Sequence, residues 1–222
     1  MNKKKLQQKI KELEPWYHPI DFGDGVVVLG MTSACCEGRS KSRIPLKSDQ
    51  RGLTKWNKYI RPNLPIDIKD ASVLDIGCNS GLFSLHLLRQ GAAFVRGVEL
   101  DDQYVKQALF LREMFSSRDK ISYNFDILLG DMKRTELYLD REFDLCLILN
   151  ALRFIPDYDE SVLFLTNIRK FCKTVLVQGT YKNKKDDDTI LKSKLQDAGY
   201  DARLILMKGQ RGVIGVGVDG GS

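Results

Sequence analysis

Val73-Leu74-Asp75-Ile76-Gly77-Cys78-Asn79-Ser80-Gly81 runs from an apolar segment into an acid, turns on glycines and leads into Leu82-Phe83-Ser84-Leu85-His86-Leu87-Leu88. The first half has the composition of a buried strand and the second that of a helix, which predicts a tight strand-to-helix turn. Glycine reaches positive φ and lets a ligand approach the backbone, while the helix start behind it exposes unpaired N–H groups. Such a turn cradles a nucleotide. In dinucleotide folds it receives a pyrophosphate, which a carboxylate beside the first glycine would repel. Asp75 suits a cationic ligand instead.

Working outward, Ala93 to Val98 is a second apolar segment ending in Glu99, where a parallel neighbour places an acid to bind ribose hydroxyls. Ser122 to Leu129 leads into Gly130-Asp131-Met132, an acid placed to accept from an adenine amino group, and Phe143 to Leu149 ends in Asn150. Acids and amides therefore recur at the carboxyl ends of successive strands, the edge at which open α/β sheets bind ligands. Leu100 and Met132 flank two of these acids and join the candidate cofactor contacts.

This ordered set resembles the Rossmann-like, S-adenosylmethionine (SAM)-dependent methyltransferases, whose loop reads acid-x-Gly-x-Gly-x-Gly. The resemblance covers roughly residues 70 to 218. It implies SAM as cofactor, held by Asp75, Gly77, Asn79, Gly81, Glu99, Leu100, Asp131, Met132 and Asn150. Asn79 stands where the family has its middle glycine. Asparagine tolerates the left-handed conformation better than most residues, so the turn is expected to survive.

Segments of helical and strand character alternate: helices near 81–90, 102–116, 157–171 and 187–198, strands near 72–77, 94–98, 122–128, 143–149 and 173–179. This is the pattern of an α/β fold with a doubly wound, mostly parallel sheet. Ala202 to Met207 and Val213 to Val218 are joined by a link too short for a parallel crossover. They complete a seven-stranded sheet with an antiparallel C-terminal strand. Ahead of it lies a small appendage. Lys3 to Leu13 reads as an amphipathic helix, residues 19 to 30 as a β-hairpin, residues 31–48 as a polar loop and Arg51 to Ile60 as a second helix. The division expected is a cap over residues 1–65 and a SAM-binding domain over 66–222.

The 222 residues suit one domain with an appendage, and the 43% hydrophobic content is ordinary for a soluble protein. No apolar run approaches the ~20 residues that span a bilayer, and a lysine-rich N-terminus without a signal-peptide core points to the cytoplasm. Five cysteines, three of them in predicted core segments, fit reduced thiols. Cys35-Cys36 has no second pair at ligand spacing, so no metal is expected. The net charge of +6 resides in residues 1–70, with 14 Lys/Arg against 8 Asp/Glu, while the remainder balances. Residues 38–61 are the most basic stretch. They are read either as a solvated face or as a surface for an anionic acceptor.

Methyl transfer from a sulfonium is an in-line displacement, so alignment and exclusion of water supply most of the catalysis. A hydroxyl acceptor also needs a base, for which His18 and Asp21 in the appendage are the candidates. His86, in an apolar helix, is read as structural. Trp56 is a candidate cofactor contact by stacking. Trp16, Tyr17, Arg51, Arg153, Phe154 and Tyr158 are candidates for lining the acceptor side.

Trp16-Tyr17-His18, Trp56 and the glycine loop also look like the branch containing the tRNA wobble-uridine carboxymethyltransferases. In that branch Tyr-His follows the fourth strand; here Arg153-Phe154 stands there, which favours plain SAM. The leading expectation is methylation, on oxygen, of a small-molecule or glycan-like acceptor beneath a lid formed by residues 1–60. A tRNA-modifying enzyme using residues 38–61 on phosphates is the alternative. A SAM-binding protein without transferase activity and an NAD-binding oxidoreductase complete the set, and oligomeric state is not legible.

Overall fold

In a computed structural model, residues 2–28, 30, 55–179, 187–206 and 213–220 are described. Helix α1 (Lys3–Glu12) starts at Asn2, whose side chain accepts from the Lys5 N–H, and it buries Leu6 and Ile10. Strands β1 (Ile20–Asp21) and β2 (Val27–Val28) pair antiparallel around Gly23-Asp24-Gly25, all three at positive φ. The expected hairpin is present, with a short ladder.

The expected helix over Arg51–Ile60 takes another form in its described part. Trp56–Ile60 is a π-helical turn running into a 3₁₀ turn at Arg61–Asn63, which carries Pro62. Proline lacks an N–H and is tolerated at a helix start, so it opens the new turn rather than continuing the old one.

The central sheet follows: β3 (Ser72–Ile76), α2 (Leu82–Arg89), β4 (Phe94–Glu99), α3 (Asp102–Asp119), β5 (Phe125–Leu129), β6 (Leu145–Leu149), α4 (Tyr158–Arg169), β7 (Thr174–Gly179), α5 (Asp187–Asp197), β8 (Tyr200–Leu206) and β9 (Val213–Asp219). Its order is β5-β4-β3-β6-β7-β9-β8. Pairs from β5 to β7 are parallel, and β9 runs antiparallel between β7 and β8. The chain leaves β3 toward β4 on one side and returns to β6 on the other. The crevice at the carboxyl ends of β3 and β6 is therefore the switch point at which such sheets bind ligands.

Strand starts differ from expectation where polar side chains hold the chain outside the ladder. Tyr123 donates its hydroxyl to Asp119, and β5 begins two residues later. Asp144 accepts from both the N–H and the hydroxyl of Ser72, and β6 begins at the next residue.

The described part of the appendage docks on the domain through shared apolar packing. Leu6, Ile10, Leu13, Trp16, Ile20, Phe22, Trp56 and Ile60 lie in one cluster with Phe83, Leu87, Phe110 and Phe115. The packing runs unbroken across residue 65. Gln107, fully buried on α3, donates to the Leu13 and Pro15 carbonyls at 2.6 and 2.8 Å. Two otherwise stranded backbone acceptors are thereby satisfied, each worth about 1 kcal/mol net. No helix among the described residues is long and apolar enough to cross a membrane.

Candidate active site

Asp75, next to last in β3, is almost wholly buried and paired in register with Gly97 on one side and Leu147 on the other. A Cβ on Gly97 would lie 2.6 Å from the Cys78 sulfur, so the glycine makes room for the turn above it. Ser84 on α2 donates its hydroxyl to Asp75 at 2.5 Å. Burial raises the Asp75 pKa to about 6, aided by nearby Glu99 and opposed by Ser84 and Lys55. Desolvation penalises the carboxylate; a cationic ligand would reverse that penalty.

The turn then alternates in hand. Gly77, Asn79 and Gly81 have φ of 69°, 52° and 71°. Asn79 does adopt the left-handed conformation, and its own Oδ1 accepts from the Ser80 N–H at 2.8 Å. That local bond is the reason asparagine serves where glycine is usual. Gly81 has no such freedom of replacement, because a Cβ there would sit 2.5 Å from the Phe125 ring.

Glu99, at the tip of β4, is held by three backbone donors: Asn79 N–H at 2.8 Å on one oxygen, and Leu100 and Asp101 N–H at 2.9 and 3.1 Å on the other. One carboxylate thus ties the glycine turn to the following loop and faces the crevice in fixed orientation. Asp131 follows β5, and its Oδ1 caps the 3₁₀ turn Met132–Tyr138 through the Lys133 N–H. Asn150 follows β6 at φ 64°. Strands lie ~4.8 Å apart, so the tips of β5, β4, β3 and β6 span roughly 14 Å, the length of a nucleoside joined to an amino acid. Leu100 is 70% exposed at the rim and Met132 is half-buried against the core.

The appendage adds groups on the other side. His18 is half-buried, its ring edge-on to Tyr17 and Phe83 at 4.8 and 5.2 Å. Desolvation, then Lys55 and His86, lower its pKa to about 3. It is neutral and a very weak base, poorly matched to proton abstraction near neutral pH. Lys55, which the sequence marks only as one cation of the basic stretch 38–61, has its ammonium 5.0 Å from the Phe83 ring centre. Desolvation lowers its pKa to about 8, with Asp75 opposing and Arg153 assisting.

Several expected contacts are placed elsewhere. Trp56 is 2% exposed and stacks on Phe83 and His86 of α2, at 6.0 and 5.3 Å, so its ring is packed within the core. Trp16 is equally buried, donating to the Ile10 carbonyl at 3.0 Å, and belongs to the appendage core. Asp21 is exposed beside Arg89 and Arg118. Arg89 ends α2, about 12 Å along that helix from Gly81, so Asp21 is not with the cradle. Tyr158 gives its hydroxyl to Asp197 on α5 at 2.6 Å and is turned away from the crevice. Phe154 is 62% exposed and carries the Arg153 guanidinium 4.8 Å from its ring, so it is not core. Arg51 and Cys35-Cys36 lie outside the described residues. Among those described, no His/Cys/Asp/Glu group is arranged to hold a metal.

Residues 73–174 match the family model described as a methyltransferase domain. The matched stretch, residues 73–174, therefore reads as a methyltransferase domain of the SAM-dependent kind. Over 119 residues it is 28% identical to a ubiquinone biosynthesis O-methyltransferase of Neisseria meningitidis, covering 54% of this chain and 48% of that protein. Over 155 residues it is 26% identical to a tRNA U34 carboxymethyltransferase of Nautilia profundicola, covering 69% and 42%. The chain spans about half or less of the length of these curated relatives. Among solved structures, the N-terminal domain of EvdMO1, crystallised in the presence of SAH and D-fucose, superposes with a TM-score of 0.68 at 15% identity, covering 99% of this chain and 97% of that one. That likeness of fold takes in the described part of the appendage as well as the sheet.

Proposed function

We propose that the chain transfers a methyl group from SAM to a hydroxyl of a small-molecule or glycan-like acceptor. The observation that carries this reading is the meeting of two kinds of group at one crevice. Glu99 and Asp75 fit a cationic nucleoside, and Lys55, a half-buried lysine with its pKa lowered to about 8, approaches Asp75 from the appendage. Bound SAM supplies an electrophilic methyl whose bond to sulfur breaks as the acceptor's C–O bond forms.

Glu99 would bind the ribose hydroxyls, its carboxylate already oriented by the three backbone donors. Asp131 would accept from the adenine amino group through Oδ2, since Oδ1 caps the 3₁₀ turn. Asp75 would offset the positive charge at the methionine end. Lys55 in its neutral form would take the acceptor's proton, a role that His18 is too weakly basic to fill. Arg153 and exposed Phe154 would meet the acceptor at the mouth. The O-methyltransferase among the curated relatives and the sugar present with the EvdMO1 domain support the acceptor class.

A second reading, a tRNA acceptor, is favoured by the tRNA U34 carboxymethyltransferase match and by the basic segment 38–61. Incubation with methyl-labelled SAM and fractionated cell extract separates the two. Label in a small-molecule or glycan fraction, as an alkali-stable ether, supports the first; label confined to RNA and lost with rising salt overturns it.

A further inference from the structure

The loop after β6 holds an arginine whose donors are not spent within the described fold. Ala151 opens the loop, packed so closely on the glycine turn that a Cβ on Gly77 would lie 2.9 Å from the Ala151 Cβ. A single 3₁₀ turn, Leu152–Phe154, follows. Ala151 and Leu152 are buried and anchor it, while Arg153 and Phe154 are exposed at the rim of the SAM crevice.

The guanidinium carbon of Arg153 lies 4.8 Å from the centre of the Phe154 ring, yet Phe154 is still 62% exposed. Ring surface therefore remains open to a second partner. A guanidinium stacked on a ring keeps its in-plane N–H donors, a fork that fits two oxygens of a carboxylate or phosphate. Among the described residues no acid or carbonyl takes those donors. The acids next along the chain are engaged elsewhere: Asp157 accepts from the Glu160 N–H at the start of α4, and Glu160 pairs with Lys133. Lys55 stands near enough for Arg153 to be one cause of its lowered pKa. Two cations thus share the acceptor side, a field that draws anions to the mouth.

We propose that the acceptor is a ring compound carrying an oxyanion, a carboxylate or a phosphate, which Arg153 binds through paired N–H donors while Phe154 covers part of the ring. The inference rests on the methyltransferase reading above and adds charge to the acceptor class: an acidic sugar or a hydroxylated aromatic acid. Arg153 acts here by binding and positioning alone, because a guanidinium stays protonated and exchanges no proton with the acceptor.

The test uses the full chain labelled with ¹⁵N, titrated without SAM with benzoate, phenyl phosphate and glucuronate, and with neutral benzamide and methyl glucoside, at matched ionic strength. Saturable amide shifts at Leu152, Arg153 and Phe154 are expected with at least one anion and with neither neutral compound. Arg153→Gln should weaken that binding about tenfold, and Arg153→Lys should recover part of it, since the charge stays and the fork is lost. Phe154→Ala should weaken it about three- to tenfold. Tighter binding of phenyl phosphate than of benzoate supports a phosphate on the acceptor, and the reverse order a carboxylate. No saturable shift with any of the three anions, equal binding of the neutral compounds, or anion binding unchanged in Arg153→Gln would overturn the proposal. So would a raised SAM Kd in Arg153→Gln with anion binding intact, which would give the arginine to the cofactor. Binding is read without turnover: a chain that binds these anions and transfers no methyl fails the methyltransferase reading, and one that methylates only neutral compounds fails this inference.

Discussion

Replacing Asp75 by Asn removes a carboxylate whose ionisation the fold resists, and the consequence is a pH signature. Its folded pKa of about 6 lies above the ordinary 3.8 because the site is desolvated. The protonated form is the one the unliganded fold favours. Its contribution to stability is therefore fully present below 3.8 and is lost as pH rises through about 6, a loss on the order of 3 kcal/mol. SAM is cationic at sulfur and favours the opposite form. With an acid of pKa about 6, only about one molecule in eleven is ionised at pH 5, so SAM affinity should fall about tenfold between pH 8 and pH 5. In Asp75→Asn the affinity at pH 8 should drop by about 1–3 kcal/mol, from loss of the charge-assisted contact, and the slope between pH 5 and 8 should flatten. Titration calorimetry with SAM across this range, with unfolding followed at the same pH values, measures both. A wild-type slope that persists in Asp75→Asn would refute the assignment of that ionisation to Asp75.

Three further outcomes follow. Gly81→Ala combines positive φ with a methyl 2.5 Å from the Phe125 ring, so stability should drop by about 2–5 kcal/mol with loss of SAM binding; thermal unfolding and calorimetry check this. Trp56→Ala should cost about 3–5 kcal/mol of stability, as expected for a buried tryptophan, while the folded fraction keeps its SAM affinity; a selective loss of affinity would restore a cofactor contact. Lys55→Met should lower kcat about 10²–10⁴-fold and abolish a rise in rate with pH through about 8, with SAM affinity little changed. A raised SAM Kd at unchanged kcat would make Lys55 a cofactor ligand instead.

The cradle was legible because its cues are local. Asp75 and Glu99 close apolar runs of strand length, glycines mark the turn, and the left-handed tolerance of asparagine foretold Asn79. The alternation of segments likewise gave the sheet and its reversed last strand. What escaped the sequence depends on partners distant in the chain. Gln107 reaches carbonyls 92 and 94 residues away, and the partner of Tyr158 is Asp197 on another helix. The aromatic residues of the appendage looked like ligand contacts because an exposed binding ring and a buried packing ring share one composition. Trp16 and Trp56 proved to be packing, and their burial is what holds Lys55 and His18 beside the crevice. The basicity of those two groups was equally hidden, since a pKa near 8 or near 3 is produced by desolvation that only the assembled fold imposes.

SAM is proposed to lie at the carboxyl ends of β3 and β4. Calorimetric titration of the wild-type chain and Glu99→Ala with SAM, and of the wild type with NAD, decides the point. One SAM site per chain is expected, weakened by about 1–3 kcal/mol in Glu99→Ala, with no saturable binding of NAD. Saturable NAD binding without SAM binding, or SAM affinity unaltered by Glu99→Ala, would contradict it.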